Sequence, residues 1–220
     1  MPVAPLFMFN GPNQPKKLHN EKKGVVATFG FETLMAPGEA EVTLAQLNSA
    51  GIIDAILSDD IDCFLFGAKT VLHNVTIKNS PYGEYVHVYS SDVLEQKGFC
   101  QEELIFIALL SGGDYDRGLP DCSITTASQL RFLGFGKALQ TLQTMEPFEQ
   151  LLSEWWDELH TELETNTLGA LSQKNCKAAN NITSSFPPRE VIHSYFHPSI
   201  FNHAEIEYFS QNLWQNKLEL

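Results

Sequence analysis

Positive charge is scarce in this chain. It has 14 lysines and arginines against 27 aspartates and glutamates, a formal net charge of −13. That balance argues against a general polyanion binder working through a broad basic surface. Cysteine is scarce too: Cys63, Cys100, Cys122 and Cys176 show no C-x-x-C spacing. They suggest neither a zinc site nor a disulfide framework, and a reduced, intracellular setting fits them best. No apolar run is long enough to cross a membrane and none has the form of a signal peptide, so no membrane partner is expected. Internal repeats and low-complexity tracts are also missing. With 43% hydrophobic residues over 220 positions, the chain can still bury a sizeable core as one domain plus an appendage.

What is present is organised around Met35–Gly67, MAPGEAEVTLAQLNSAGIIDAILSDDIDCFLFG, with the acidic pairs Glu39/Glu41 and Asp60/Asp62 at its two ends. Pro37 suits an opening helical position, where its missing N–H would be unpaired anyway. Val42, Leu44, Ala45, Leu47 and Ala50 make one apolar helix face, and Gly51 is placed to end it. Ile52 to Leu57 predicts a short buried strand. A helix feeding a strand across one glycine is an α/β unit and implies a mostly parallel sheet. In such sheets the ligand crevice lies beyond the carboxyl ends of the strands, where Ser58, Asp59, Asp60 and Asp62 fall.

Asp60 and Asp62 are two apart, so in extended chain they project to one side. Glu39 and Glu41 would diverge in a regular helix. At least one of them must therefore sit in an irregular first turn if both serve one site. Each pair alone has an ordinary reading. Acids at a helix N-terminus gain roughly 0.3–1 kcal/mol each, and an aspartate cluster can cap a turn. Together, four carboxylates near one sheet edge would repel unless cations sat among them. Hard oxygen ligands select Mg²⁺ or Mn²⁺. A third acidic site, Asp114 in SGGDYDRG, follows an apolar helix expected over Gln101–Leu110.

The runs A-P-G-E-A-E, S-D-D-I-D-C-F-L-F-G and L-L-S-G-G-D-Y-x-x-G-L-P, in this order, resemble the internal catalytic region of the XPG/Rad2 family. These are structure-specific 5′ nucleases with a PIN-like core, and they include flap endonucleases and Holliday-junction resolvases. The G-F-G-K-A-L after the last motif brings the resemblance nearest to the resolvase branch and its fungal relatives. It covers about residues 5–140. It implies a PIN-like, mostly parallel sheet flanked by helices over 1–116, then a helix–two-turn–helix segment over 117–140. A helical C-terminal extension over 141–220 would follow. It implies Mg²⁺, or Mn²⁺, held by Glu39, Glu41, Asp60, Asp62 and Asp114, with Glu39, Asp60 and Asp62 catalytic. Flap, branched or four-way-junction DNA is the implied partner, with a dimer on the junction, in the nucleus. Lys16, Lys17, Gly118 and Pro120 stand at implied DNA contacts.

Several positions depart from the family pattern. Asn10 stands where the motif V-F-D-G has a metal-binding aspartate. Asp121, Ser123 and Thr125 replace a Gly, Gly and Lys of the hairpin that cradles the DNA backbone, which argues against its K⁺ site. Met1 begins near the family's second strand, so a shortened relative or a truncated gene is expected. About 25 residues separate Asn10 from P-G-E-A-E, so the family's arch looks cut down to the basic run Lys16–Lys23.

Elsewhere, residues 4–9, 31–35, 70–75 and 85–89 predict strands, with KNSPYGE as a loop. SSDVLEQKG, PFEQLLSEWWDELHTELE, CKAANNI, VIHSYF and the closing FNHAEIEYFSQNLWQNKLEL predict helices, with Trp and Phe in a core rather than stacking bases. Two other functions stay open: a non-catalytic relative acting as a binding or scaffold module, and a haloacid-dehalogenase-like phosphatase. In the latter, D-x-D at Asp60–Asp62 would supply a covalent nucleophile.

Overall fold

The computed structural model describes residues 4–13, 15, 31–75 and 85–213, with helices making up most of the regular structure. The chain divides into two compact units. Among the described residues, one holds those up to 93 together with those from 198 on, and the other holds 94–197.

In the first unit, β1 (Leu6–Phe9) pairs in parallel with β2 (Glu32–Met35), Leu6 opposite Glu32 and Phe9 opposite Met35. A second sheet joins β3 (Ile56–Leu57) in parallel to β4 (Thr70–Val75), which runs antiparallel to β5 (Tyr85–Ser90). Among the described residues, two of the three strand pairings are therefore parallel. The other edge of β1 and of β3 meets no strand among the described residues, and Leu57 is 69% exposed there. Helix α1 (Ala40–Ser49) packs on both β1 and β3, burying Val42, Thr43, Ala45, Leu47 and Asn48.

The strand expected over Ile52–Leu57 is mostly not a strand. The N–H groups of Ile52 and Ile53 both donate to the Leu47 carbonyl, and Asn48 Nδ2 donates to the carbonyls of Ile53 and Asp54. Residues 51–54 are thus folded back onto the end of α1, and only Ile56–Leu57 extends. Pro37 likewise precedes the helix rather than opening it. Its carbonyl accepts from Asn13 N–H at 3.2 Å, and Glu39 is the N-cap. Gln46 holds the C-terminal segment by a double hydrogen bond: its Nε2 donates to the Phe201 carbonyl at 2.8 Å and its Oε1 accepts from Phe201 N–H at 3.0 Å. Helix α9, which follows, is given below with the other C-terminal helices.

The short α2 (Ser91–Gln96) spans the boundary between the units. In the second unit α3 (Gln101–Ser111) is apolar on nearly every side, as a central helix must be, and buries Ile105, Phe106, Ile107, Leu109 and Leu110. Around it lie α4 (Ile124–Leu130), α5 (Phe135–Leu142) and α8 (Arg189–Phe196). The long α6 (Phe148–Thr165) packs on α5 and on α7 (Cys176–Asn180). Phe106 stacks on Phe135 with ring centres 5.6 Å apart, and Trp155 meets Phe106 edge-on at 6.1 Å. Trp155 Nε1–H donates to the Phe135 carbonyl at 3.0 Å, so this indole is core, as expected. Buried Glu103 accepts the N–H groups of Gly136 and Lys137, both at 3.3 Å, at the open end of α5. Helix α9 (His203–Asn212), in the first unit, begins with a capping box between Asn202 and Glu205. No helix among the described residues is long and apolar enough to cross a membrane.

Candidate metal centre and nucleic-acid interface

The N-terminus of α1 is assembled by β1. Asn10, just past that strand, accepts the Ala40 N–H on its Oδ1 at 2.7 Å. Gly11 N–H donates to the Gly38 carbonyl at 2.6 Å, and a Cβ on Gly11 would run into the Ala36 carbonyl. This close backbone approach is what P-G-E-A-E requires of its partner loop. Glu39 is the extended N-cap, φ −84° and ψ 141°, with its side chain 2% exposed; Glu41 lies in the first turn. The irregular turn that two neighbouring glutamates need is therefore present, at Glu39.

Asp60 and Asp62 do not lie in extended chain. Asp60 Oδ1 accepts the Asp62 N–H at 2.9 Å, and Asp60 N–H donates to Ser58 Oγ at 3.0 Å. Asp62 opens a 3₁₀ turn over Asp62–Phe66, closed by Gly67 at φ 85°. The reason is the side chain itself: aspartate competes for the backbone two residues on and bends it. The turn still gathers charge. A carboxylate oxygen of Glu41 and one of Asp60 lie within 4.8 Å of each other. Burial, and then the nearby Glu41, Asp60 and Asp62, push the Cys63 thiol up to about 12. Three carboxylates thus crowd one buried sulfur.

In the second unit Asp114 follows α3 in a loop folded tightly back on the helix end. Gly112 has φ 89° and Gly118 φ 76°, and a Cβ on either would strike the other arm of the loop. Gly113 N–H donates to the Asp116 carbonyl at 2.9 Å, and Gly118 N–H donates to Asp116 Oδ2 at 3.0 Å. Tyr195 of α8 packs edge-on against Tyr115 at 4.8 Å, beside Asp114. The hairpin after Gly118 is tied to the C-terminal region. Asn181 Nδ2 donates to the Pro120 carbonyl and to Asp121 Oδ2, both at 3.1 Å, and Asn175 Nδ2 donates to the Asp121 carbonyl at 2.9 Å. Asp121 has φ 63°, in the left-handed region that glycine adopts most readily. Ser123 caps α4 by accepting from Thr126 N–H, and Thr125 is exposed in its first turn. Pro120 is exposed and Gly118 half-buried. Lys16, Lys17 and the rest of the basic run, the loop KNSPYGE and the last seven residues lie outside the described residues.

Sequence reasoning missed the helix-capping role of Asn10 and the Asn175/Asn181 brace on the hairpin. An asparagine at the foot of a strand was a signal for the first; nothing local announced the second.

The strands, helices and carboxylate turn define a PIN-like α/β nuclease fold. The family model described as "XPG I-region" matches residues 30–114. Mouse "DNA excision repair protein ERCC-5" is 30% identical over 184 residues, which are 82% of this chain and 15% of that protein. Among solved structures, a eukaryotic junction-resolving enzyme GEN-1 binding caesium superposes with a TM-score of 0.80 at 33% identity, covering 94% of this chain and 51% of that one. The Holliday junction-resolving enzyme GEN1 in complex with product DNA, Mg²⁺ and Mn²⁺ gives 0.75 at 32% identity, covering 95% and 50%. The chain belongs to the XPG/Rad2 family of structure-specific nucleases. It spans about half or less of the length of these relatives. Membership displaces the phosphatase alternative.

Proposed function

We propose that the chain acts as a Mg²⁺-dependent structure-specific endonuclease on flap, branched or four-way-junction DNA. The observation that carries this reading is the approach of Glu41 and Asp60 within 4.8 Å, in a turn whose charge is felt at Cys63. Hard, crowded oxygen donors fit a hard divalent cation such as Mg²⁺ or Mn²⁺. In this reading Glu39, Glu41, Asp60, Asp62 and Asp114 hold two such ions. Bound there, they would lend positive charge to the attacking and leaving oxygens of a phosphodiester and lower the pKa of water. The chain's own part is to hold the carboxylates. Asn10 pins the helix end that bears Glu39 and Glu41, Asp60 orders its own turn, and the Gly112–Gly118 loop presents Asp114. The residues 1–116 carry the chemistry, 117–140 meet the DNA backbone, and 141–220 brace that segment through Asn175 and Asn181. Lys16 and Lys17, with Gly118 and Pro120, contact phosphate. The carbonyls of Pro120 and Asp121 already accept hydrogen bonds, which weighs against a K⁺ site in the hairpin. A nuclear site of action and a dimer on a four-way junction follow from the same reading.

The test is cleavage of 5′-labelled flap and junction substrates in Mg²⁺, with Asp60→Asn as control. Cleavage by the wild type that is lost in the variant supports the proposal. A second reading, a metal-holding module that binds DNA without cutting, is favoured by Asn10, whose amide oxygen caps a helix where the family has a carboxylate. Retained junction binding without cleavage would decide for it.

A further inference from the structure

We infer that the second unit carries a transition-metal site of its own, a Zn²⁺ held between the side chains of His193 and His197 of α8, apart from the carboxylates above. The two residues are four apart, so they lie on one face of the helix, a turn from each other. His197 is the C-cap, and its N–H donates to the His193 carbonyl at 2.8 Å, which fixes that spacing. Both residues are exposed, so an ion reaches them from solvent. Their ring centres are 5.2 Å apart. A Zn²⁺ bonded at about 2.1 Å to a nitrogen of each ring lies about 3.2 Å from each ring centre, and its tetrahedral angle then sets the two centres about 5.2 Å apart. The pair is therefore already spaced as one tetrahedral ion requires.

The surroundings favour a cation. The pair ends α8, where the helix dipole is negative. Glu190, one turn before His193, is exposed and adds negative charge on that face. Arg189, the other neighbour a turn away, is drawn off to α6: its guanidinium bonds Glu149 at 3.1 Å and lies over the Phe148 ring at 5.0 Å. The ligand type chooses the ion. Imidazole suits Zn²⁺, whereas Mg²⁺ takes oxygen, so this site and the carboxylates select different metals. No His, Cys, Asp or Glu among the described residues completes a group of three here, so water fills the remaining positions and the site is open. On the inner side of the same turn, Tyr195 is 3% exposed and packs on Tyr115, and a Cβ on Gly113 would meet its hydroxyl at 2.7 Å. The bridged turn is thus the one that supports the loop bearing Asp114.

The experiment is a ZnCl₂ titration of the full chain at neutral pH, following the ¹³C–¹H ring signals of its seven histidines. His203, exposed on α9, serves as the single-imidazole reference. The signals of His193 and His197 should move together, at a Zn²⁺ concentration about a hundredfold below the one that moves His203, because the second imidazole of a pair binds intramolecularly. His193→Asn and His197→Asn should each weaken binding about a hundredfold and bring the remaining ring into the His203 range. MgCl₂ should move neither ring. Both residues are exposed, so the variants should melt like the wild type without metal. The comparison with His203 is made within the wild type, so it decides even if a variant is destabilised. Ring signals that move at different Zn²⁺ concentrations, or no earlier than that of His203, overturn the inference and leave the two imidazoles a metal-free contact pair. Equal shifts with MgCl₂ would assign the response to general charge screening and overturn it as well.

Discussion

Asn10 illustrates how one side-chain atom can order a helix end. Its Oδ1 caps α1 at Ala40, so Asn10→Ala should cost about 1 kcal/mol in urea unfolding. Asn10→Asp keeps the cap and adds a carboxylate beside Glu39. It should raise divalent-ion affinity, read by calorimetric titration with Mn²⁺; an unchanged affinity would show that the position does not face the ion. The cysteines give a second residue-scale outcome. Burial and the neighbouring acids hold Cys63 at about 12, and burial holds Cys122 at about 11. Both stay thiols at pH 8, and the thiolate is the reactive form. Iodoacetamide should therefore label exposed Cys176 and spare Cys63 and Cys122 until the protein unfolds, as peptide mapping would reveal.

At the scale of elements, the α3–α5 junction rests on Glu103. Burial pushes its carboxyl above 4.5, the N–H groups of Lys137 and Gly136 pull the other way, and Glu102 adds to the rise. A carboxyl raised on folding binds its proton in the native state where the unfolded chain has lost it. Its contribution to stability is therefore greatest below about 4.5 and declines as pH climbs through the raised value. Glu103→Gln removes this slope. The stability of wild type relative to the variant should fall between acid and neutral pH in urea titrations, and a difference that grew with pH would refute the assignment. Across the described chain the helices and most strands were legible in periodicity. Residues 51–54 were not, because Asn48 captures carbonyls five and six positions on and overrides the strand propensity of the isoleucines.

For the whole molecule, the −13 charge and the crowded carboxylates should make the native state responsive to divalent cations. An ion that binds the folded form alone stabilises it by mass action, by about 2.7 kcal/mol at a hundredfold excess over Kd. Mg²⁺ should raise the melting temperature of the wild type in a calorimetric scan and leave that of Asp60→Asn nearly unmoved. The variant's amide oxygen can still accept the Asp62 N–H, so its melting temperature without Mg²⁺ should stay close to the wild type's. Equal Mg²⁺ shifts in both would argue that the ions bind elsewhere on the acidic surface.

The order of three acidic motifs was enough, read from residues alone, to define the family, the α/β class and the carboxylates worth testing. Such motifs are short and local, and their spacing carries the signal. Three features needed the tertiary structure. One is the bend that sets Asp60 and Asp62 in a 3₁₀ turn rather than on an extended face. Another is the binding of Asp121 by asparagines 54 and 60 positions away. The third is the burial of Glu162 with one oxygen unmatched. Each depends on which distant groups meet, and hydrogen bonds between residues far apart in the chain leave no period in the sequence.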